Sequence, residues 1–399
     1  MPLVDAQSIA RGRPESRSGP TGRPLPDAAP VRRHVPLVIR SSACARSGVR
    51  HRRRRLTAAG AVAAAAVSLV QFVPGPASPP AEAEAGRSPE VTPVGAPVTI
   101  AFAGDVHAEG GAGQALSAGL PSIREALSEP DLTVVNVEMA ITDGGSAASK
   151  EYAFRAPASA LVALDDAGVD VVTLANNHGL DYGVTGLRDS LAAAASTGMP
   201  MVGIGVDEDQ AYAPHLSTVR GQRIAVLGAT QVLDGNLEDA WTARAGKPGL
   251  ASAKRESRLL QEVARARMLA DTVVVYLHWG AELEPCPLPR QQALARALVE
   301  AGADIIVGAH AHVPLGGGYL DGAYVDYGLG NFIFNTKGGE GARTGLLTLT
   351  VQGRVVTDAQ YAPAVIRDGA PYPLAGERAE RARADKQQRR GCTGLAASS

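Results

Sequence analysis

The chain has 399 residues, of which 45% are apolar and 20% charged, enough for one large domain or two modest ones. Aromatic residues at 4% leave little for stacking on single-stranded nucleic acid, and three cysteines exclude a disulfide-dense scaffold or a Cys-rich zinc fold. The net charge of −1 hides a split. Residues 1–55 carry thirteen Arg against Asp5, Glu15 and Asp27, while the rest holds 26 basic and 37 acidic side chains. An acidic body argues against a nucleic-acid partner.

Residues 1–55 are rich in Arg, Pro, Ser and Gly and show no periodicity, as expected of a disordered basic leader. A start at Val49 would instead give a compact basic n-region. Arg50 to Arg55 precede an uncharged run, 56–73, made mostly of Ala, Val and Leu. A basic cluster before an apolar run reads as a signal peptide or a membrane anchor. Ala81-Glu82-Ala83 offers small residues at cleavage-type spacing. A buried Ala-rich helix is the plainer alternative, but nothing amphipathic flanks the run. The expectation is therefore an extracytoplasmic protein, either membrane-anchored or secreted. Residues 74–97, with seven prolines, read as an extended linker.

From Val98 the pattern changes. Apolar, β-rich runs occur at Thr99–Ala103, Leu132–Val137, Val169–Leu174, Met201–Ile204, Arg223–Leu227, Thr272–Leu277, Ile305–Val307 and Tyr324–Tyr327. Helical stretches lie between them, notably 184–197, 254–270 and 290–301. This alternation predicts an α/β domain over 98–365. Leu346–Val351 and Val355–Tyr361 flank Gln352-Gly353-Arg354 and predict a hairpin. The charged stretch 366–399 reads as a flexible tail.

Eight histidines are present, and five of them, His107, His178, His278, His310 and His312, follow an apolar run. The C-terminal edge of an α/β sheet is where ligands bind. Asp105-x-His107 places two donors on one side of an extended segment. Glu138 follows the second strand and Asn177-His178 the third. His310-x-His312 is the most specific element. Singly, each has an ordinary structural reading as a cap, a turn or a satisfied core imidazole. Together, Asp105, His107, Glu138, Asn177, His278, His310 and His312 form a mixed nitrogen and oxygen set without sulfur. That set suits two divalent ions such as Mn, Fe or Zn. Paired ions activate water and clamp an in-line displacement, which leaves His178 to protonate a leaving group.

The order Asp-x-His, carboxylate, Asn-His, His, Gly-x-His-x-His resembles the calcineurin-like metallophosphoesterases. The finer text resembles their relatives, the CapA (PgsA) poly-γ-glutamate capsule synthesis family. It matches at FAGDVH (102–107), VVNVEMAIT (134–142), FRAP (154–157), LANNHGLDYG (174–183), LHWGAELEPCP (277–287), VGAHAHVP (307–314) and YGLGNFIF (327–334). The resemblance implies a four-layer αββα sandwich, metal roles for the seven donors and an acid or orienting role for His178. Two departures stand out. The phosphoesterase pattern has Gly-Asp where this chain has Asn136 and Glu138, and many CapA-type sequences carry Met where His107 stands.

Arg155, Glu282 and Asn331 are candidate substrate contacts. Asp181 reads as a helix cap and Trp279 as a packing residue. No role is assigned to Cys44, Cys286 or Cys392, although export would permit a Cys286–Cys392 bridge. The expected function is capsule or envelope polymer biosynthesis, with hydrolysis or transfer of a phosphoester or polymer bond. The alternative is a non-catalytic accessory subunit that binds the anionic polymer. The implied partners are that polymer or phosphoester, polyglutamate synthase or export proteins of the membrane, and the membrane itself through the N-terminal segment.

Overall fold

The computed structural model describes residues 95–399. The expected leader, the signal or anchor run 56–73 and nearly all of the linker lie outside the described residues. Among the described residues, no helix is long and apolar enough to cross a membrane.

The fold is mixed α/β, and its strands form two large sheets. In chain order, the strands of the first are β1 (Val98–Val106), β2 (Leu132–Val137), β3 (Val171–Thr173) and β4 (Met201–Val202). The second contains β5 (His215–Val219), β6 (Gln222–Thr230), β7 (Thr272–His278), β8 (Ile305–Ala309), β9 (Gly317–Leu320) and β10 (Ala323–Asp326). The chain then returns to the first sheet with β11 (Asn331–Ile333), β12 (Arg343–Gln352), β13 (Val355–Arg367) and β14 (Ala370–Pro373). The first sheet runs β14-β13-β12-β1-β2-β3-β4, with β11 also beside β1, and the second runs β9-β10-β8-β7-β6-β5. Strands β1, β2, β3 and β4 are mutually parallel, as are β6, β7, β8 and β10.

Side chains of alternate residues leave a strand on opposite faces. Ile100 and Phe102 of β1 therefore join Val134, Val274, Tyr276, Ile305 and Val307 in one buried cluster fed by both sheets. Ala101 and Ala103 of β1 face the other way. They meet Leu116 of α1 (Gly110–Ser117), Leu161 and Leu164 of α2 (Ser159–Asp166) and Leu187 of α3 (Gly183–Thr197). On the far side of the second sheet, Val273 and Val275 pack on α4 (Glu256–Leu269) and α5 (Pro289–Ala301) through Leu259, Val263, Leu294 and Leu298. The Tyr276 hydroxyl donates to Ala103 O at 2.6 Å and ties the two sheets together.

Local sequence sets the ends of these elements. Helix α5 opens with Pro289 and closes at Gly302, whose φ of 111° is a left-handed cap. The predicted run 201–204 is broken into two short strands. The predicted hairpin forms as β12 and β13, with Gln352 paired to Val355.

The C-terminal segment departs from expectation. Residues 366–399 are not a frayed tail but supply β14 and helix α6 (Gly376–Arg389). Their many charges find fixed partners, and Lys386 is buried against Asp326, with Nζ to Oδ2 at 2.9 Å. Cys286 and Cys392 are joined in a disulfide across 106 residues.

Candidate metal centre

The parallel strands of both sheets end at one rim, and the polar residues just past those ends converge there. Asp105 stands in register with Asn136 of β2 and Asn331 of β11, and its N–H donates to Gly330 O at 3.0 Å. Both of its carboxylate oxygens are held. Asn136 Nδ2 donates to Oδ1 at 2.8 Å, and the His310 backbone N–H donates to Oδ2 at 3.1 Å. Asn176 in turn donates to Asn136 Oδ1 at 3.0 Å and to Val137 O at 2.8 Å. A ladder of buried amides thus fixes the carboxylate before any ligand arrives.

Glu138 is treated differently. It is fully buried, and neither carboxylate oxygen has a hydrogen-bond donor. His278 Nε2 stands 3.3 Å from Glu138 Oε1 and 2.8 Å from Asn177 Oδ1. His310 packs on His278 with ring centroids 4.7 Å apart, and its Nδ1 is buried without a partner. One donor atom from each of Glu138, His310 and His312 falls within 4.8 Å of the others. His312 Nδ1 lies 2.7 Å from Asn331 Oδ1 and 3.4 Å from Asp105 Oδ2. Both histidines of the pair have left-handed backbones, with φ of 89° for His310 and 56° for His312. Such conformations are costly for residues other than Gly and persist where surroundings enforce them.

The electrostatics match an unbalanced cluster. Burial, and then the Asp105 charge, push Glu138 up to about 8. Burial pushes His278 down to about 3. Burial, with His278 and His312 next to it, takes His310 to about 2. Burial opposes charge on His312 as well, but Glu138, Asp105 and Asn331 outweigh it and raise that ring to about 10. Buried carboxylates and imidazoles that lack donors or carry displaced protonation are what a cation would satisfy. The nitrogen and oxygen set of Asp105, Glu138, Asn177, His278, His310 and His312 fits a borderline-to-hard divalent ion.

His178 sits beside this group. Its Nδ1 is 2.7 Å from Asp181 Oδ2, and Lys150 Nζ is 3.0 Å from Asp181 Oδ1. Lys150 also donates to Asn177 O, and the His178 N–H donates to Asn176 Oδ1 at 2.9 Å. Asp181 is therefore not a helix cap, because its side chain is spent on His178, Lys150 and the Phe154 N–H. Lys150 was not legible in sequence, being one basic residue in a polar loop.

Other expected site residues fall elsewhere. Both ring nitrogens of His107 face backbone N–H groups, Nδ1 that of Glu109 and Nε2 that of Asn335, each at 3.0 Å. Its ring lies between Phe154 and Phe334, with centroids 5.1 and 4.1 Å away. The structure does not aim it into the donor cluster. Arg155 is exposed, stacks over the Tyr182 ring at 4.7 Å and donates to Asp143 O. Glu282 is also exposed, on the loop after β7. Asn331 does reach the site, as a partner of His312. Trp279 is buried, stacks on Tyr327 and donates to its carbonyl at 3.0 Å.

The family model for bacterial capsule synthesis protein PGA_cap matches residues 99–336, which contain every residue of the rim described above. The chain belongs to that family. Among PGA_cap relatives, the capsule biosynthesis protein CapA of Bacillus anthracis is 34% identical over 57% of this chain and 55% of its own length. The PGA biosynthesis protein CapA of Bacillus subtilis is 33% identical over 57% of this chain and 59% of its own. A probable polyglutamine synthesis accessory protein of Mycobacterium tuberculosis is 32% identical over 52% of this chain and 57% of its own. The chain spans about half the length of the curated relatives it matches.

Proposed function

We propose that this PGA_cap protein acts outside the membrane in the synthesis of poly-γ-glutamate or another anionic envelope polymer. Its chemistry would be metal-dependent hydrolysis or transfer of a phosphoester or polymer bond at the rim. The observation that carries the reading is Glu138, a fully buried carboxylate with two donorless oxygens beside the partnerless Nδ1 of His310. The two facing sheets, with helices on their outer sides, support taking the fold as an αββα sandwich of metallophosphoesterase type. Asp105, Glu138, Asn177, His278, His310 and His312 would hold two divalent ions. When bound, those ions supply a Lewis acid and lower the pKa of water. His178 is the proton donor to the leaving atom, through Nε2. Asp181 and Lys150 fix its ring on the Nδ1 side, much as a carboxylate orients a general-acid histidine elsewhere. Phe154 lies against both His178 and His107 and keeps water from that side. The acidic body attracts a polyanion poorly, so the ions also supply the field that draws it in.

The Cys286–Cys392 bridge supports an oxidising, exported setting, because cytosolic thiols stay reduced. The likeness to the capsule biosynthesis and PGA biosynthesis CapA proteins supports the polymer assignment. One relative's description as an accessory protein favours a second reading, in which this chain binds polymer without turning it over.

Elemental analysis of the oxidised full chain should find two Mn, Fe or Zn per molecule, and a metal-free protein after incubation with all three would sink the proposal. His178→Ala should keep that content. Loss of turnover of γ-glutamyl polymer or chromogenic phosphoesters would support the enzyme. Unchanged polymer binding, with no turnover by the parent protein on any of these, would support the accessory reading.

A further inference from the structure

We infer that helix α6 is a strap that positions the metal rim, with Lys386 and Arg389 as its positioning residues. The inference rests on the metal reading above but concerns residues beyond 336, where the family match ends.

Helix α6, GERAERARADKQQR, has almost no apolar face, and only Ala379 and Lys386 are buried. An all-polar helix does not dock by apolar burial. Its contacts are specific and polar, and they converge on a few segments. Lys386 Nζ donates to Leu315 O at 2.7 Å and to Asp326 Oδ1 at 3.1 Å. Arg389 donates to Pro314 O at 2.6 Å and also pairs with Glu340. Arg343 bridges Glu340 to Asp385. Beyond the helix, Gln292 Nε2 donates to Cys392 O at 3.2 Å, and the disulfide fixes Cys392 to the loop that follows His278.

These targets flank the donors. Pro314 and Leu315 follow His310-Ala311-His312 after only Val313, and that stretch carries two left-handed histidines. Pro314 is bridged to Leu329, which leads into Asn331, the partner of His312. Asn331 Nδ2 donates to Gly341 O at 2.9 Å, next to the Glu340 that Arg389 and Arg343 hold. The strap thus grips the chain just after His312 and at the loop that holds Asn331, and the disulfide beyond it reaches the loop after His278, without touching a donor. A strained turn needs such outside constraint to keep its geometry. Lys386 is an expensive residue to bury, and here its donors go to the backbone that this turn runs into.

The test separates positioning from simple support. Mn²⁺ or Zn²⁺ affinity is measured by chelator competition on the oxidised full chain, beside the unfolding midpoint of the chelated protein. Arg389→Gln should weaken metal binding at least about tenfold, with Arg389→Lys restoring most of it, while the chelated protein's midpoint barely moves. Lys386→Met paired with Asp326→Asn, which avoids an uncompensated buried carboxylate, should weaken binding further. Arg381→Gln, on the same helix but paired only with Glu377, is the control and should change neither quantity. If the parent binds metal and the Arg389 and Lys386 variants bind it equally well, the strap inference fails while the metal reading stands. A parent that binds no metal overturns both.

Discussion

A negative charge on Glu138 is costly where it sits, which is why burial raises the carboxyl to about 8. Glu138→Gln removes the charge while keeping the shape. Metal affinity should then fall by about a hundredfold or more, since even outer-shell partners are worth about 10–100-fold. The same change should stabilise the chelated protein by about 1 kcal/mol or more, because an unpaired buried carboxylate is gone. Calorimetric titration and urea unfolding in chelator measure the two. A chelated protein destabilised by the change would mean that the carboxylate is satisfied by something else.

Protons report on the same residues. Glu138 at about 8, against an ordinary 4.5, holds a proton when folded that the unfolded chain releases, so stability falls as pH rises from 4.5 to 8. His312, raised from 6.5 to about 10, acts in the same direction between those values. His107, His278 and His310, lowered from 6.5 to about 4, 3 and 2, act oppositely. Below 6.5 the unfolded chain takes up protons that these folded rings refuse, and stability falls as pH drops. The contribution of these groups should peak near pH 6.5 in chelated protein. Metal competes with the protons on Glu138 and His312, so affinity should climb between pH 6.5 and 10. Denaturant midpoints across pH 5–9 check the first expectation; a continuous rise through pH 8 would contradict it.

At the level of elements, the rim depends on how closely β1 and β11 approach. A Cβ at Gly104 would lie 1.7 Å from Gly330 O, so no side chain fits there. Gly104→Ala must push β11 away, breaking the Asp105 N–H bond to Gly330 and moving Asn331. A loss of about 3 kcal/mol or more is expected, since overpacking alone costs about 1–3. Chemical unfolding measures it, and near-parental stability would show that β1 and β11 tolerate separation. This element scale is also where the sequence was most readable. Apolar runs such as Thr272–Leu277 and Ile305–Val307 have few alternatives to buried parallel strands, and the residues after them point to the rim. The orientation of His107 was not readable, because Phe154 and Phe334, distant in sequence, decide which way its ring turns. Nor were Asp181 and Lys150, whose pairing exists only after the loops fold together. The charged C-terminal stretch looks like a tail until Asp326 and Leu315 O are seen waiting for Lys386.

For the whole molecule, the disulfide closes a long loop. Cross-linking about 100 residues is worth up to about 4.7 kcal/mol in the chain-entropy account. Reduction, or Cys286→Ser with Cys392→Ser, should therefore lower stability by about 2–4 kcal/mol. Urea unfolding with and without reductant tests this, and an unchanged midpoint would remove the bridge from the stability account. The same comparison bears on the proposed export, since a protein indifferent to reductant would gain nothing from an oxidising compartment.

Asp105 and His312 stand at the two ends of the donor series, with strands β2 to β8 threaded between them. No fragment released early from a ribosome can gather the set. On the metal reading, cation capture would therefore come late, after the slow, long-range strand pairings that bring the donors together. An ion held there would act as a rivet between segments of the polypeptide made far apart in time, and its retention would report that His312 has met Asp105.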